Sequence, residues 1–214
     1  MPGRWRAVSP LKSCSRMVWW PTARMARRCG PNRATPPVCC CRAGIGNTNI
    51  KWLRRLKLGD QPFMTRYETA QYTFSEPDGK SAQFAFVLEA KSAIIRPSGG
   101  MTIPEPGFWE VTGLAWSGRG RITRVEVSAD GGQTWGEAEL QEPVLPICHT
   151  RFRFPWVWDG SEAVLQSRAT DETGYVQPAR SQLVAARGTD FGGLFNGIIG
   201  WQVAADGKVT YVES

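Results

Sequence analysis

The residues with the clearest capacity for chemistry lie in the run GNTNIK at positions 46–51. Gly46 opens a turn sequence, and the backbone N–H groups of such a turn can bind an anion next to the ammonium group of Lys51. The same run also suits a solvated basic surface strand, because apolar and basic side chains are interspersed from Ile50 to Leu58. The pattern leaves an anion site and a basic surface strand both open.

Cysteine and histidine do not form a second candidate site. Five of the six Cys residues lie within the first 41 positions, three of them consecutive, and no CxxC or His pair accompanies them. Such spacing is poor for metal binding. Cys148 and His149 are interpreted as structural, since no further ligand stands at metal spacing. No Ser/His/Asp set, carboxylate pair or phosphate loop occurs, so we predict no catalytic and no metal-ligating residue.

The elements that would position any site are predicted to be β-strands. Residues 111–116 alternate between two faces, and residues 122–128 carry a second apolar set after a Gly-rich turn. Asp130-Gly131-Gly132 is a strong hairpin sequence, and Trp135 opens a third strand. The sequence therefore predicts an antiparallel meander over residues 111–135.

The hairpin contains the pattern S-x-D-x-G-x-T-W from Ser128 to Trp135. It resembles the Asp-box hairpin of sialidase propellers and of several unrelated β-domains. Its Asp130 is expected to bond backbone N–H groups across the turn, with the Trp135 ring folded underneath. The motif stabilises a turn and carries no catalytic group. It occurs once, whereas a propeller would repeat it.

The rest of the body predicts more strands separated by short turns. Trp156 and Trp158 are expected in the core or an interface rather than on a ligand platform, and Pro155 is expected to mark an edge or a bulge. No helical period is sustained, so the predicted fold class is mainly β, an antiparallel β-sandwich. The predicted strands lie at residues 84–88, 92–95, 151–154 and 164–169, with a last pair formed from residues 195–203 onward.

Charge is segregated along the chain, so the net charge of +7 is misleading. Residues 1–59 hold thirteen of the 26 Lys and Arg residues and no acid, which leaves residues 60–214 with a net charge of −6. The acidic body argues against a nucleic-acid partner. No stretch reaches the ~18 apolar residues of a membrane span, and Arg27-Arg28 lacks the apolar run of an export signal. We therefore predict no nucleic acid, no membrane and no export signal in this chain.

Residues 1–45 have no acid and no hydrophobic period, which is typical of a disordered basic arm. A second interpretation is that this head is translated out of frame. Shifting the frame back by one nucleotide turns Cys40 and Cys41 into Leu whatever codons are used, and Arg42-Ala43 can become Pro-Gly. Both interpretations predict that the head lacks packed structure.

Four blocks resemble one known family. The chain is similar to the sulfite oxidase family of molybdenum enzymes, and within it to the sulfane dehydrogenase catalytic subunits of the thiosulfate-oxidising Sox system. The resemblance covers residues 46–214, and the shifted frame of the head continues it. The blocks are GNTNIKWLRRL (46–56), FVLEAKSAIIRPSGG (86–100), TRFRFPWVWDG (150–160) and LQSRATDETGYVQPAR (165–180).

The resemblance implies three parts: a head at 1–45, a remnant of the molybdopterin-binding domain at 46–85, and an immunoglobulin-like dimerisation domain at 86–214. It implies that Asn49, Ile50 and Lys51 contact the phosphate end of the pterin. The cysteine that ligates molybdenum belongs to a part of the family protein that precedes this chain. Where the family often has Arg, this chain has Val157.

The expected function is therefore the C-terminal dimerisation part of a molybdenum-cofactor, sulfur-oxidising oxidoreductase, inactive by itself. The family implies a homodimer, a c-type cytochrome as electron acceptor and a periplasmic location. The molybdenum cofactor would belong to the complete protein, and none is expected on this chain alone. The alternative is a stand-alone β-sandwich that binds carbohydrate or protein through exposed Trp side chains.

Overall fold

The structure is a computed structural model, and it describes residues 17–19, 39–41, 44–46, 49, 55, 57, 59–76, 78–189 and 194–213. The chain divides into two compact units. One unit comprises residues 1–73 and 83–86, and the other comprises residues 74–82 and 87–214. No helix among the described residues is long and apolar enough to cross a membrane.

The first unit contains one strand pair and one tight helical turn. Strands β1 (Met17–Trp19) and β2 (Cys39–Cys41) pair antiparallel. The turn Tyr67–Gln71 is closed by a hydrogen bond from the Tyr72 N–H to the Tyr67 carbonyl at 2.8 Å. This strand pair is structure that the sequence patterns did not predict. The other residues of the head lie outside the described ones, so its lack of packed structure stays a prediction.

The second unit is built from antiparallel strands, as the alternating patterns predicted. In chain order its elements are β3 (Phe74–Ser75), β4 (Ser81–Ala82), β5 (Lys91–Arg96), β6 (Gly107–Trp116), β7 (Ile122–Ser128), β8 (Gly136–Glu137), β9 (Glu139–Leu140), β10 (Thr150–Trp158), β11 (Ala163–Asp171), helix α1 (Arg180–Arg187), β12 (Gly200–Val203) and β13 (Val209–Val212).

Two sheets face each other in this unit. The four-stranded sheet has the order β5-β6-β10-β9, and the five-stranded sheet has the order β13-β12-β11-β7-β8. Each neighbouring pair is antiparallel. The prediction of an immunoglobulin-like antiparallel β-sandwich is confirmed. The pair β12–β13 is the last pair expected from residue 195 onward, and the short β3–β4 hairpin precedes the sandwich.

The core lies between the two sheets because alternate side chains of each strand point inward. Phe152 is fully buried and fills the space opposite Gly113, where a Cβ atom would come within 2.3 Å of its ring. A larger residue could not replace this glycine without moving the sheet. The buried apolar cluster comprises Ile94, Ile103, Val111, Ala115, Ile122, Val125, Val127, Ala138, Phe152, Trp156, Trp158, Leu165, Ala169, Val203 and Val209.

The predicted meander over residues 111–135 is wrong in one respect. Strands β6 and β7 do not pair, because β6 lies in the four-stranded sheet and β7 in the five-stranded sheet. The connection between them is anchored instead of forming a hairpin. The Ser117 hydroxyl donates to Asp171 Oδ2 at 2.7 Å, and the Gly118 N–H donates to the Leu88 carbonyl at 2.8 Å. These bonds carry the chain across from one sheet to the other.

Two further predictions differ from the structure. Residues 84–88 do not form a strand, and Phe84 has a φ of 64°, which no extended strand accommodates. Helix α1 was not predicted. It begins after Ala179, whose N–H donates to the Gln182 side chain at 3.1 Å, and it ends at Gly188 with a φ of 75°. Eight residues are too few for a recognisable helical period.

Candidate functional site

The predicted phosphate site is described only at its edge. Asn49 is exposed, and its backbone N–H donates to the Gly46 carbonyl at 3.1 Å. Its side-chain Nδ2 lies 3.5 Å from the Ile45 carbonyl oxygen. Ile50 and Lys51 lie outside the described residues. The turn N–H of Asn49 is therefore used within the turn, and any contact of Asn49 with an anion falls to its side chain.

The Asp-box hairpin has the geometry expected from its sequence. The Asp130 carboxylate accepts hydrogen bonds from the Gln133 N–H at 2.9 Å, the Thr134 N–H at 3.0 Å and the Thr134 hydroxyl at 2.5 Å. The bonds from Thr134 hold the pKa of Asp130 well below its ordinary value. All of its acceptor capacity is directed into the turn, so this carboxylate rigidifies the hairpin between β7 and β8.

Trp135 lies against the hairpin but not in the core. Its indole Nε1–H donates to the Gly132 carbonyl at 3.0 Å, and the ring is half-buried. The guanidinium of Arg168 stacks on the ring at 4.3 Å from the centroid. The ring is thus held between a turn carbonyl and a cation on the outside of the five-stranded sheet.

The other tryptophans of the predicted sites are structural. Trp156 and Trp158 are 8% and 3% exposed and belong to the core, as expected. Their burial leaves no ligand platform on β10. Pro155 lies at a position where β10 pairs with β6 and has no partner in β9, which agrees with the expected edge position.

Cys148 and His149 show no metal geometry. Cys148 is a half-buried free cysteine, and His149 contacts the Trp116 ring edge-on at 5.4 Å between centroids. No group of three or more His, Cys, Asp or Glu side chains that could hold a metal lies among the described residues. The structural interpretation of the pair fits this arrangement.

A buried ion pair joins Glu89 to helix α1. The Arg187 Nη2 atom donates to both Glu89 oxygens at 2.8 Å, and the Arg187 guanidinium stacks on Phe74 at 4.3 Å. Glu89 also accepts from the Tyr175 hydroxyl at 3.3 Å, and burial raises the pKa of Tyr175. Sequence reasoning missed this cluster because Glu89 and Arg187 are 98 positions apart and neither stands in a recognisable motif.

The outer surface of the four-stranded sheet is partly apolar. Phe108 and Val157 are direct cross-strand partners on β6 and β10, and they are 69% and 73% exposed. Pro155 is exposed beside them, and Leu114 is half-buried further along β6 on the same side. We call this surface the apolar face, defined by Phe108, Leu114, Pro155 and Val157. It includes Val157, where the resemblance had implied an Arg.

The outer surface of the five-stranded sheet is charged and internally paired. Arg168 donates to both oxygens of Glu126, at 2.8 and 3.1 Å, and Arg124 lies 3.4 Å from the same carboxylate. The hydrogen bonds from Arg168 hold the pKa of Glu126 below its ordinary value. We call this surface the ionic face, defined by Arg124, Glu126, Trp135 and Arg168.

Residues 82–190 match the model of one protein family, described as the Mo-co oxidoreductase dimerisation domain. A crystal structure of the sulfane dehydrogenase SoxCD from Paracoccus pantotrophus is similar, with 46% sequence identity and a TM-score of 0.80. The match covers 85% of this chain and 47% of that chain.

Sulfite oxidases are also similar to the chain. The protein from Gallus gallus is 32% identical over 152 residues, and that from Rattus norvegicus is 32% identical over 151 residues. Each alignment covers 63% of this chain, but only 32% and 27% of the two relatives. The resemblance drawn from the four sequence blocks is confirmed. The chain spans about half of the SoxCD chain and about a third of these sulfite oxidases.

Proposed function

Since the chain belongs to the Mo-co oxidoreductase dimerisation domain family, we propose that it is the C-terminal dimerisation part of a molybdenum-cofactor oxidoreductase that oxidises sulfite or sulfane sulfur. The observation that carries the proposal is the family match over residues 82–190 on a complete two-sheet sandwich. The 46% identity to SoxCD supports the sulfane dehydrogenase type.

The proposed partner is a second copy of the chain. The sandwich at residues 86–214 would supply the contacts, with residues 46–85 as a remnant of the cofactor domain and 1–45 as the head. An exposed apolar pair on a regular sheet supports association, because soluble monomers rarely expose large contiguous apolar surface. Most homodimers of this kind are two-fold symmetric.

In the complete protein the molybdenum cofactor would supply the two-electron oxidation of the sulfur substrate, with a c-type cytochrome as acceptor in the periplasm. The residues of this chain fit only the phosphate end of such a group. An Asn amide and a Lys ammonium suit phosphate, which supports Asn49, Ile50 and Lys51 as its contacts. The described residues do not fit the metal, because no cluster of three ligands lies among them.

Without further donors the chain should neither retain the cofactor nor oxidise sulfite or thiosulfate. One exposed Lys contributes about 0–1 kcal/mol to an ion pair, far less than retention of a buried phosphate requires. The test is elemental analysis of the 214-residue chain purified from a host that makes the cofactor. We expect molybdenum far below one atom per chain. A stoichiometric content would contradict the proposal.

The alternative function, a carbohydrate- or protein-binding module that uses exposed Trp, has no support. Trp156 and Trp158 are buried, and Trp135 is occupied by Arg168. None of the family and structure matches given above points to a glycan ligand.

A further inference from the structure

We propose that two copies of the chain associate through the apolar face, so that the outer surfaces of their four-stranded sheets pack against each other. This inference rests on the proposed function, because it assumes that the chain dimerises. It adds which of the two sheet surfaces forms the interface and which side chains lie at its centre.

The first argument is the exposure of Phe108 and Val157. They face each other across β6 and β10, and both are more than two-thirds exposed. Phe108 contributes little to the sandwich core in this position, since its ring lies outside the sheet. Two large apolar side chains at one register position form a compact patch, and such a patch is a suitable centre for an interface.

The second argument is the pattern of charge on the same surface. Glu110 on β6 and Arg151 and Arg153 on β10 alternate with the inward side chains, so all three belong to the outer surface. Glu139 on β9 pairs with Arg153 at 3.3 Å. The surface therefore carries both signs of charge. Under a two-fold axis the arginines of one copy can face the glutamates of the other, so the surface is complementary to itself.

The third argument concerns the ionic face, which is the competing surface. Its carboxylate, Glu126, already accepts two hydrogen bonds from Arg168, and Trp135 is covered by the same guanidinium. Covering this network with a second copy would remove the charges from water without providing a new partner. The apolar face has no such cost at Phe108 and Val157.

The test is sedimentation equilibrium of the full chain and of two variants. The double variant F108E/V157E places like charges at the centre of the apolar face. The control Y211E introduces the same charge at a residue of β13, in the other sheet, that is 53% exposed. We expect the dimer dissociation constant to rise about 100-fold or more in F108E/V157E and to change less than about threefold in Y211E.

Thermal unfolding of F108E/V157E at low concentration serves as the folding check, and the milder variant F108A/V157A should weaken the dimer about 10-fold. An unchanged dissociation constant in F108E/V157E, with a dimeric wild type, would overturn the inference and leave the proposed function standing. A larger loss in Y211E would also overturn it, because the interface would then lie on the five-stranded sheet. A monomeric wild type would contradict the proposed function itself.

Discussion

The two outer surfaces of the sandwich handle the same task, covering a sheet, in opposite ways. The ionic face is stabilised by side chains of its own chain, through Arg168, Glu126 and Trp135. The apolar face leaves Phe108 and Val157 in solvent. Both faces belong to one continuous core, so the difference does not come from folding. It shows which surface is completed within the chain and which one is suited to a partner.

The largest effect is expected where both faces depend on one side chain. Phe152 is fully buried between the sheets, so Phe152→Ala should lower the free energy of unfolding by about 3–5 kcal/mol. Phe152→Leu keeps most of the volume and should cost about 1 kcal/mol. Denaturant unfolding of both variants measures this. A cost below about 1 kcal/mol for Phe152→Ala would mean that the two sheets are not held by a shared core.

A smaller effect separates the two faces directly. Arg168→Ala removes two hydrogen bonds to Glu126 and the stacking on Trp135, and should destabilise the chain by about 2 kcal/mol. Phe108→Ala removes a ring that lies outside the sheet and should change monomer stability by less than about 0.5 kcal/mol. Urea unfolding at concentrations where the monomer dominates compares them. The reverse order would remove the distinction between the two faces.

Prediction from the sequence worked best where one strand or one turn carries its own pattern. The alternation in β10, the Asp130 hairpin and the Asp206-Gly207 turn before β13 were all predicted correctly. Each depends on residues that are neighbours in sequence. Turn composition gave no such information at Ser117, since a Gly-rich turn suits a hairpin and a crossing between sheets equally well.

The features that prediction missed depend on residues far apart in the chain. The bond from Ser117 to Asp171 spans 54 positions, and the pair of Glu89 and Arg187 spans 98. The apolar face is similar, because the register of β6 against β10 places Phe108 beside Val157. At the cofactor remnant, Asn49 alone among the three predicted contacts is described, so that assignment stays a prediction.

The smallest effect concerns pH and the hairpin that borders the ionic face. The folded pKa of Asp130 lies below its ordinary value of 3.8, so its contribution to stability is present above that value and is lost as the pH falls through the acid range. The Asp130→Asn variant should therefore be less stable than the wild type at pH 7, and the difference should shrink on acidification. Unfolding curves between about pH 7 and pH 2 test this.

The control for this pH series is Asp60→Asn, at an exposed carboxylate outside the hairpin, which should follow the wild-type curve. A difference between wild type and Asp130→Asn that stays constant down to pH 2 would mean that the hydrogen bonds to Asp130 do not depend on its charge.

The measurement that tests the central claim most directly is the solution mass of the unmodified chain. Sedimentation equilibrium of all 214 residues at about 10 µM should give about twice the chain mass of 23.7 kDa, falling toward the single mass on dilution. That result is predicted because the sandwich exposes an apolar, charge-complementary surface to a second copy. A mass of 23.7 kDa at every concentration would contradict the account.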